Sequence, residues 1–201
     1  MPERAPLHAA TTSAPPSLQE RVAGAILEAA ARVVSRADAP ASMADVAHEA
    51  GVARATLYRY YPSRGDLLAE LARQTTRDAG ARLSASRIDE VAPAEGIRRS
   101  VRALVEVGDG FVAVARERVK PDAEEEERLV VAPIRQVIER GQAAGEIRRD
   151  VSPALLGEAL IALTASMLAA RPAQGRDDAI EAITSLFLDG TRIRGAGVNT
   201  D

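Results

Sequence analysis

Between Gly51 and Gly65 the chain reads GVARATLYRYYPSRG, with Arg54, Arg59, Arg64, Thr56 and all three of its tyrosines, and without one acidic side chain. A guanidinium bonds bidentately to guanine O6 and N7 or pairs with phosphate, and hydroxyls bond to phosphate oxygens. The chemistry this cluster offers is grip on nucleic acid. Elsewhere the material for chemistry is thin. There is no cysteine, which removes disulfides, thiolate metal sites and cysteine nucleophiles. The only two histidines are His8, in an irregular tail, and His48, which reads as an exposed helix residue. No paired carboxylates, Gly-rich phosphate loop or metal-ligand spacing stand out, so no catalytic residue, metal or cofactor is expected, and the chain is not read as an enzyme.

The elements that would position the cluster begin at Ser42. Its hydroxyl can cap a helix, with Asp45 as the partner acid of a capping box, and Met43, Val46, Ala47 and Ala50 recur at helical spacing. Gly51 accepts positive φ and turns the chain. A second helix from about Ala53 to Tyr60 packs Leu57 and Tyr61 inward as an i, i+4 pair, and Pro62 stops it. Arg54, Ala55, Thr56, Tyr58, Arg59 and Tyr60 then point away from the core. Two short helices joined by a tight turn suit the DNA major groove. Arg54 is the first candidate for reading bases, with Thr56 and Tyr58 next. Ser42, Tyr60 and Arg64 read as phosphate contacts, and Arg59 as either. Ser63 caps a further helix with Asp66 as partner, aiming a positive helix end outward beside Arg64.

The run ADVAHEAGVARATLYRYYPSRGDLL, within Ser42 to Leu68, resembles the amino-terminal domain of the tetracycline-repressor (TetR) family of bacterial regulators. The Ala, Gly and Val around the turn, the Thr-Leu-Tyr run and the aromatic-Pro-Ser-basic close carry the likeness. Two positions depart from it: Ala53 stands where the family often has a capping Ser or Thr, and Tyr61 where phenylalanine is commonest. The resemblance implies a three-helix helix-turn-helix domain and a fourth helix linking it to a regulatory domain. It also implies two final helices that pair with their copies in a second subunit as a four-helix bundle.

The bulk numbers agree with an all-α protein of about nine helices. Of 201 residues 46% are apolar and only 2% aromatic, which suits helices packed with Ala, Leu, Val and Ile. The net charge of −3 places the basic patch locally, with the acid elsewhere. No apolar run reaches the roughly 18 residues of a membrane helix, and no secretory signal follows the amino-terminal charges. The expected location is cytoplasmic, on the nucleoid when bound to DNA, with no membrane partner.

Along the chain, residues 1–16 read as a disordered arm, 17–62 as the DNA-binding domain, 63–86 as a connecting helix and 87–201 as a ligand-binding and dimerisation domain. Ser17 and Glu20 make a capping box for the first helix. Gly108 and Gly110 predict a break. Pro133 either starts a helix or kinks one, and Gly141 and Gly145 end it. Ser152-Pro153 starts a helix that is apolar around most of its circumference, so it needs cover on more than one side. The dimer interface is expected at Leu156, Leu160, Leu163, Ile180, Ile183 and Phe187; burial within one subunit is the alternative.

A lone recognition helix gives little specificity, so a homodimer on palindromic double-stranded DNA is expected. The leading expectation is a repressor released by a small-molecule effector of unknown identity. Its pocket would be walled by Leu104, Phe111, Ile134, Ile138, Leu160 and Met167. Glu106 and Asp109 either select a cationic ligand or pair with Arg102 or Arg116, or are exposed. An activator of the same family, an enzyme using Glu106 and Asp109, and a helical interaction module remain as alternatives.

Overall fold

The structure, a computed structural model, describes residues 17–36, 40–170 and 175–192. The expected arm at 1–16 lies outside these residues. Among the described residues the chain is helical, and its one extended pairing is an isolated antiparallel bridge between Ile147 and Arg192.

Three helices form the amino-terminal unit: α1 (Leu18–Arg36), α2 (Met43–Glu49) and α3 (Arg54–Tyr60). The box at the start of α1 is made, with the Ser17 amide donating to Glu20 Oε2 at 2.7 Å and the Glu20 amide to Ser17 Oγ at 3.2 Å. Ile26, Val46, Ala47 and Leu57 meet in one apolar cluster, each no more than 2% exposed. Next comes α4 (Arg64–Ala85), whose 22 residues span roughly 33 Å at 1.5 Å per residue. It gives Leu67, Leu68 and Leu71 to the amino-terminal cluster and Ala79 and Leu83 to a second, carboxy-terminal one. One element is thereby shared between two cores.

The carboxy-terminal helices are α5 (Pro93–Val107), α6 (Asp109–Glu117), α7 (residues 123–143), α8 (Pro153–Ala169) and α9 (Arg176–Thr191). The break expected near Gly108 falls at that residue, which takes φ 71°. Ile97, Leu104, Ile134, Ile138, Leu160 and Ile183 are all fully buried in the second cluster. By contrast α6 turns toward the first. Ala113 is 0% exposed there, and Val114 packs against the same group.

Pro133 stands in the first turn of the α-helical stretch Ala132–Ala143, as a helix start would have it, but that stretch runs on without a gap from the turns before it. It sits in α7 just after a π-turn, Glu127–Val131, whose closing amide at Ala132 donates to the Glu127 carbonyl five residues back. Proline has no N–H to give the carbonyl four residues earlier and its ring collides with that carbonyl; one widened turn accommodates both. The widened turn presses Leu129 onto α4 at Gly80, where an added Cβ would lie 2.8 Å from the Leu129 Cβ. Gly141, expected to end this helix, lies inside it, and its missing side chain makes room for Ile147 Cδ1, 2.5 Å from where a Cβ would stand. Gly145, at φ 77°, is where the chain turns.

The residues expected at a dimer interface need correction. Leu156, Leu160, Ile180, Ile183 and Phe187 are buried within this one chain, and Leu163 packs partly buried against the same cluster. Because α8 is apolar nearly all round, one side of it fills the core and a mostly apolar stripe is still left outward. That stripe is Leu155, Ala159, Ala162 and Ser166, at helical spacing and exposed. Leu155 is 56% exposed, and Leu186 on the outer side of α9 is 58% exposed.

Candidate DNA-binding surface

The helix-turn-helix is set by its caps. Ser42 accepts from the Asp45 amide at 3.2 Å, while its own amide donates to Asp45 Oδ2 at 2.9 Å and its hydroxyl donates to the same oxygen at 2.6 Å. These bonds hold the Asp45 carboxyl below the usual carboxylate range, the hydroxyl contributing most. Gly51 makes the turn at φ 67°. Ala53 then precedes α3 with no side-chain cap, as its residue type dictates.

Leu57 is fully buried and Tyr61 8% exposed, so α3 turns the opposite side outward. Arg54, Ala55, Tyr58 and Arg59 are exposed, Thr56 and Tyr60 half-buried. Tyr58 is 48% exposed. The Arg59 guanidinium lies over the Tyr60 ring, 5.5 Å from its centroid, a cation–π arrangement that orients both groups. The Tyr61 hydroxyl, the addition relative to phenylalanine, donates to the Ala23 carbonyl at 3.4 Å. Burial pushes its pKa up to about 12.

Two of the side chains assigned to phosphate are already engaged. Both donors of Ser42 end on Asp45, so its role here is to cap α2. Arg64 donates through Nε to the Ala41 carbonyl at 3.0 Å and through Nη2 to Glu117 Oε1 at 2.6 Å. At the start of α4, Ser63 accepts from the Asp66 amide at 3.1 Å and donates to its carboxylate at 2.7 Å. Glu117 had no local signal in the sequence, because it stands on α6, far from Arg64 along the chain.

Glu106 is exposed, one of the alternatives expected for it. Glu106 pairs with Arg82 at 3.1 Å and Asp109 accepts from Ser35 Oγ at 2.7 Å, while Arg102 pairs with Asp177. Of the expected pocket residues, Leu104, Ile134, Ile138 and Leu160 are fully buried core, with Phe111 and Met167 partly buried against them. They are brought together in one apolar cluster. Among the described residues no three His, Cys, Asp or Glu side chains gather as a metal site, and no helix is long and apolar enough to cross a membrane.

The geometry is that of a capped helix-turn-helix presenting arginine and tyrosine, joined to a second helical half by one shared helix. Residues 26–71 match the family described as bacterial regulatory proteins, tetR family. The HTH-type transcriptional repressor LfrR of Mycolicibacterium smegmatis is 41% identical over 96 residues, which cover 45% of this chain and 47% of LfrR. The HTH-type transcriptional regulator Rv1255c of Mycobacterium tuberculosis is 40% identical over 84 residues, 41% of each chain. These matches thus span about half the length of either relative, or less. In three dimensions the crystal structure of LfrR from Mycobacterium smegmatis in complex with proflavine superposes with a TM-score of 0.68 at 27% identity, covering 88% of this chain and all of that one. The likeness to the tetR family model thus lies in residues 26–71, and over most of its length the chain is similar in fold to LfrR.

Proposed function

We propose that this chain is a homodimeric repressor that binds a pseudo-palindromic operator and is released when a small molecule enters its carboxy-terminal half. The observation that carries the reading is the outward face of α3, where Arg54, Tyr58 and Arg59 stand exposed with no acid between Gly51 and Gly65. Arg54, in the first turn of α3, is the side chain assigned to base edges, with Thr56 and Tyr58 beside it. Arg59 and Tyr60, stacked together, flank them. A recognition helix enters the groove by its amino-terminal residues, which is where Arg54 lies. The site of action is DNA in the cytoplasm.

The second copy docks on the outward stripe of α8 and on Leu186 of α9. Ala159 and Ala162 let two helices approach closely, and Leu155 and Leu186 supply apolar area that one chain leaves uncovered. The effector enters beside Phe111 and Met167, the partly exposed members of the group that includes Leu104, Ile134, Ile138 and Leu160. The name of LfrR as a repressor and its structure with proflavine support both halves of the reading.

The test is selection of binding sites by the purified protein from a random duplex library, followed against salt. Enrichment of a palindrome, with affinity falling steeply as salt rises, is the expected result. A folded, dimeric preparation that enriches no sequence, with or without small-molecule extracts, would overturn the reading.

A further inference from the structure

The contact between Arg64 and Glu117 joins two parts of the molecule that the proposed function keeps distinct. Arg64 is the first residue of α4, immediately after the loop that closes α3, and its Nε donates to the Ala41 carbonyl at the entry to α2. Glu117 is the last residue of α6. Both groups are partly sheltered, at 36% and 20% side-chain exposure.

The position of Glu117 is the anomaly. A carboxylate in the last turn of a helix faces the negative end of the helix dipole, which disfavours it. Arg116 stands in the same last turn, and the chain leaves α6 at Arg118 in the left-handed region, φ 51° and ψ 34°. That conformation is costly for a residue with a Cβ. The backbone closes that end, the Arg118 amide donating to the Ala115 carbonyl and the Val119 amide to the Val114 carbonyl, while the Glu117 side chain is tied to another element through Arg64. At the opposite end of α6, Asp109 is tied to Ser35 at the end of α1, so the helix is pinned to the amino-terminal unit at both ends.

We infer that Glu117 acts as an internal stand-in for a DNA phosphate, holding Arg64 until the operator displaces it. The inference rests on the DNA-binding reading above and deepens it. A guanidinium binds carboxylate and phosphate with the same donors, and Nη2 of Arg64 now points at Glu117. When Arg64 turns to phosphate, Glu117 is left unpaired at the negative end of α6, and the last turn of that helix loosens. Linkage makes the effect reciprocal: a ligand that firms the end of α6 keeps Arg64 on Glu117 and weakens DNA binding. Glu117 is a positioning residue, acting on DNA through Arg64.

The experiment is a double-mutant cycle on the full chain, using the operator selected by the wild-type protein, with helicity checked by circular dichroism. Glu117→Gln is expected to raise operator affinity about fivefold at moderate salt, the scale of one partly exposed ion pair. The slope of log affinity against log salt is expected to stay near that of the wild type, because Arg64 reaches the same phosphate in both complexes. In an Arg64→Ala background the same change should have no effect on either quantity. An unchanged or lowered affinity in Glu117→Gln overturns the inference, and so does a gain that persists without Arg64, since that gain would be through-space charge alone. A wild-type chain that selects no operator sinks the DNA-binding reading and this inference with it; wild-type binding that Glu117→Gln leaves unaltered sinks the inference only.

Discussion

Replacing Arg54 by alanine is expected to cost about 1–3 kcal/mol of operator binding and to relax preference at a single base pair, as loss of a bidentate guanine contact does. Competition binding against single-site operator variants measures it. Equal weakening on every variant would make Arg54 a phosphate contact instead. Tyr61 makes a different prediction. Its folded pKa, raised by burial to about 12, lies above the ordinary phenol value of roughly 10. The native state thus keeps its proton longer than the unfolded chain, and the stability this contributes is present below pH 10 and lost as pH rises from about 10 to about 12. Tyr61→Phe removes that titration, so its midpoint of alkaline unfolding should rise, while its stability at neutral pH should change little because the bond to Ala23 is long. At this scale the sequence revealed which way side chains point and hid what they touch. The spacing of Ser42 and Asp45 announced a cap within one turn, and Leu57 with Tyr61 announced the inner face. The partner of Arg64 comes from a helix that no local pattern places beside it.

At the scale of the element, helix starts and stops were legible wherever the signal was local. Ser17, Ser42, Ser63 and Ser152 all cap where they were expected, and Gly51 and Gly108 turn the chain with positive φ. What could not be read was which side of an apolar helix faces in. Most of the large hydrophobes of α8 and α9 went to the core, while Leu155 and Leu186 stayed outside with Ala159 and Ala162. The π-turn in α7 was equally hidden, since Pro133 permits a kink, a start or a widening, and only contact with α4 selects the last. That contact predicts a cost. Gly80→Ala places a Cβ where Leu129 has no space to retreat from the backbone of its own widened turn, and overpacking of this kind destabilises by about 1–3 kcal/mol. Urea denaturation of the variant checks it. A stability equal to wild type would mean that the two helices are not pressed together.

For the whole molecule, the exposed stripe carries the prediction about assembly. Glutamate at both Leu155 and Leu186 should leave the subunit folded, because neither side chain is buried within it, and should separate the subunits in sedimentation experiments. Operator affinity should fall with dimerisation, since paired recognition helices supply the specificity. A dimer that survives both changes would place the interface elsewhere. The path of α6 has a consequence of another kind. This helix follows α5 in the chain yet seals the amino-terminal cluster with Ala113, so the unit that carries the helix-turn-helix is discontinuous in sequence. An excised fragment ending after α4 would expose the surface that α6 covers and should melt early or aggregate. Chimeras that graft this reading head onto a relative's sensor would have to bring α6 with it. Calorimetry of the intact chain should correspondingly show a single cooperative transition, in which neither half survives the melting of the other.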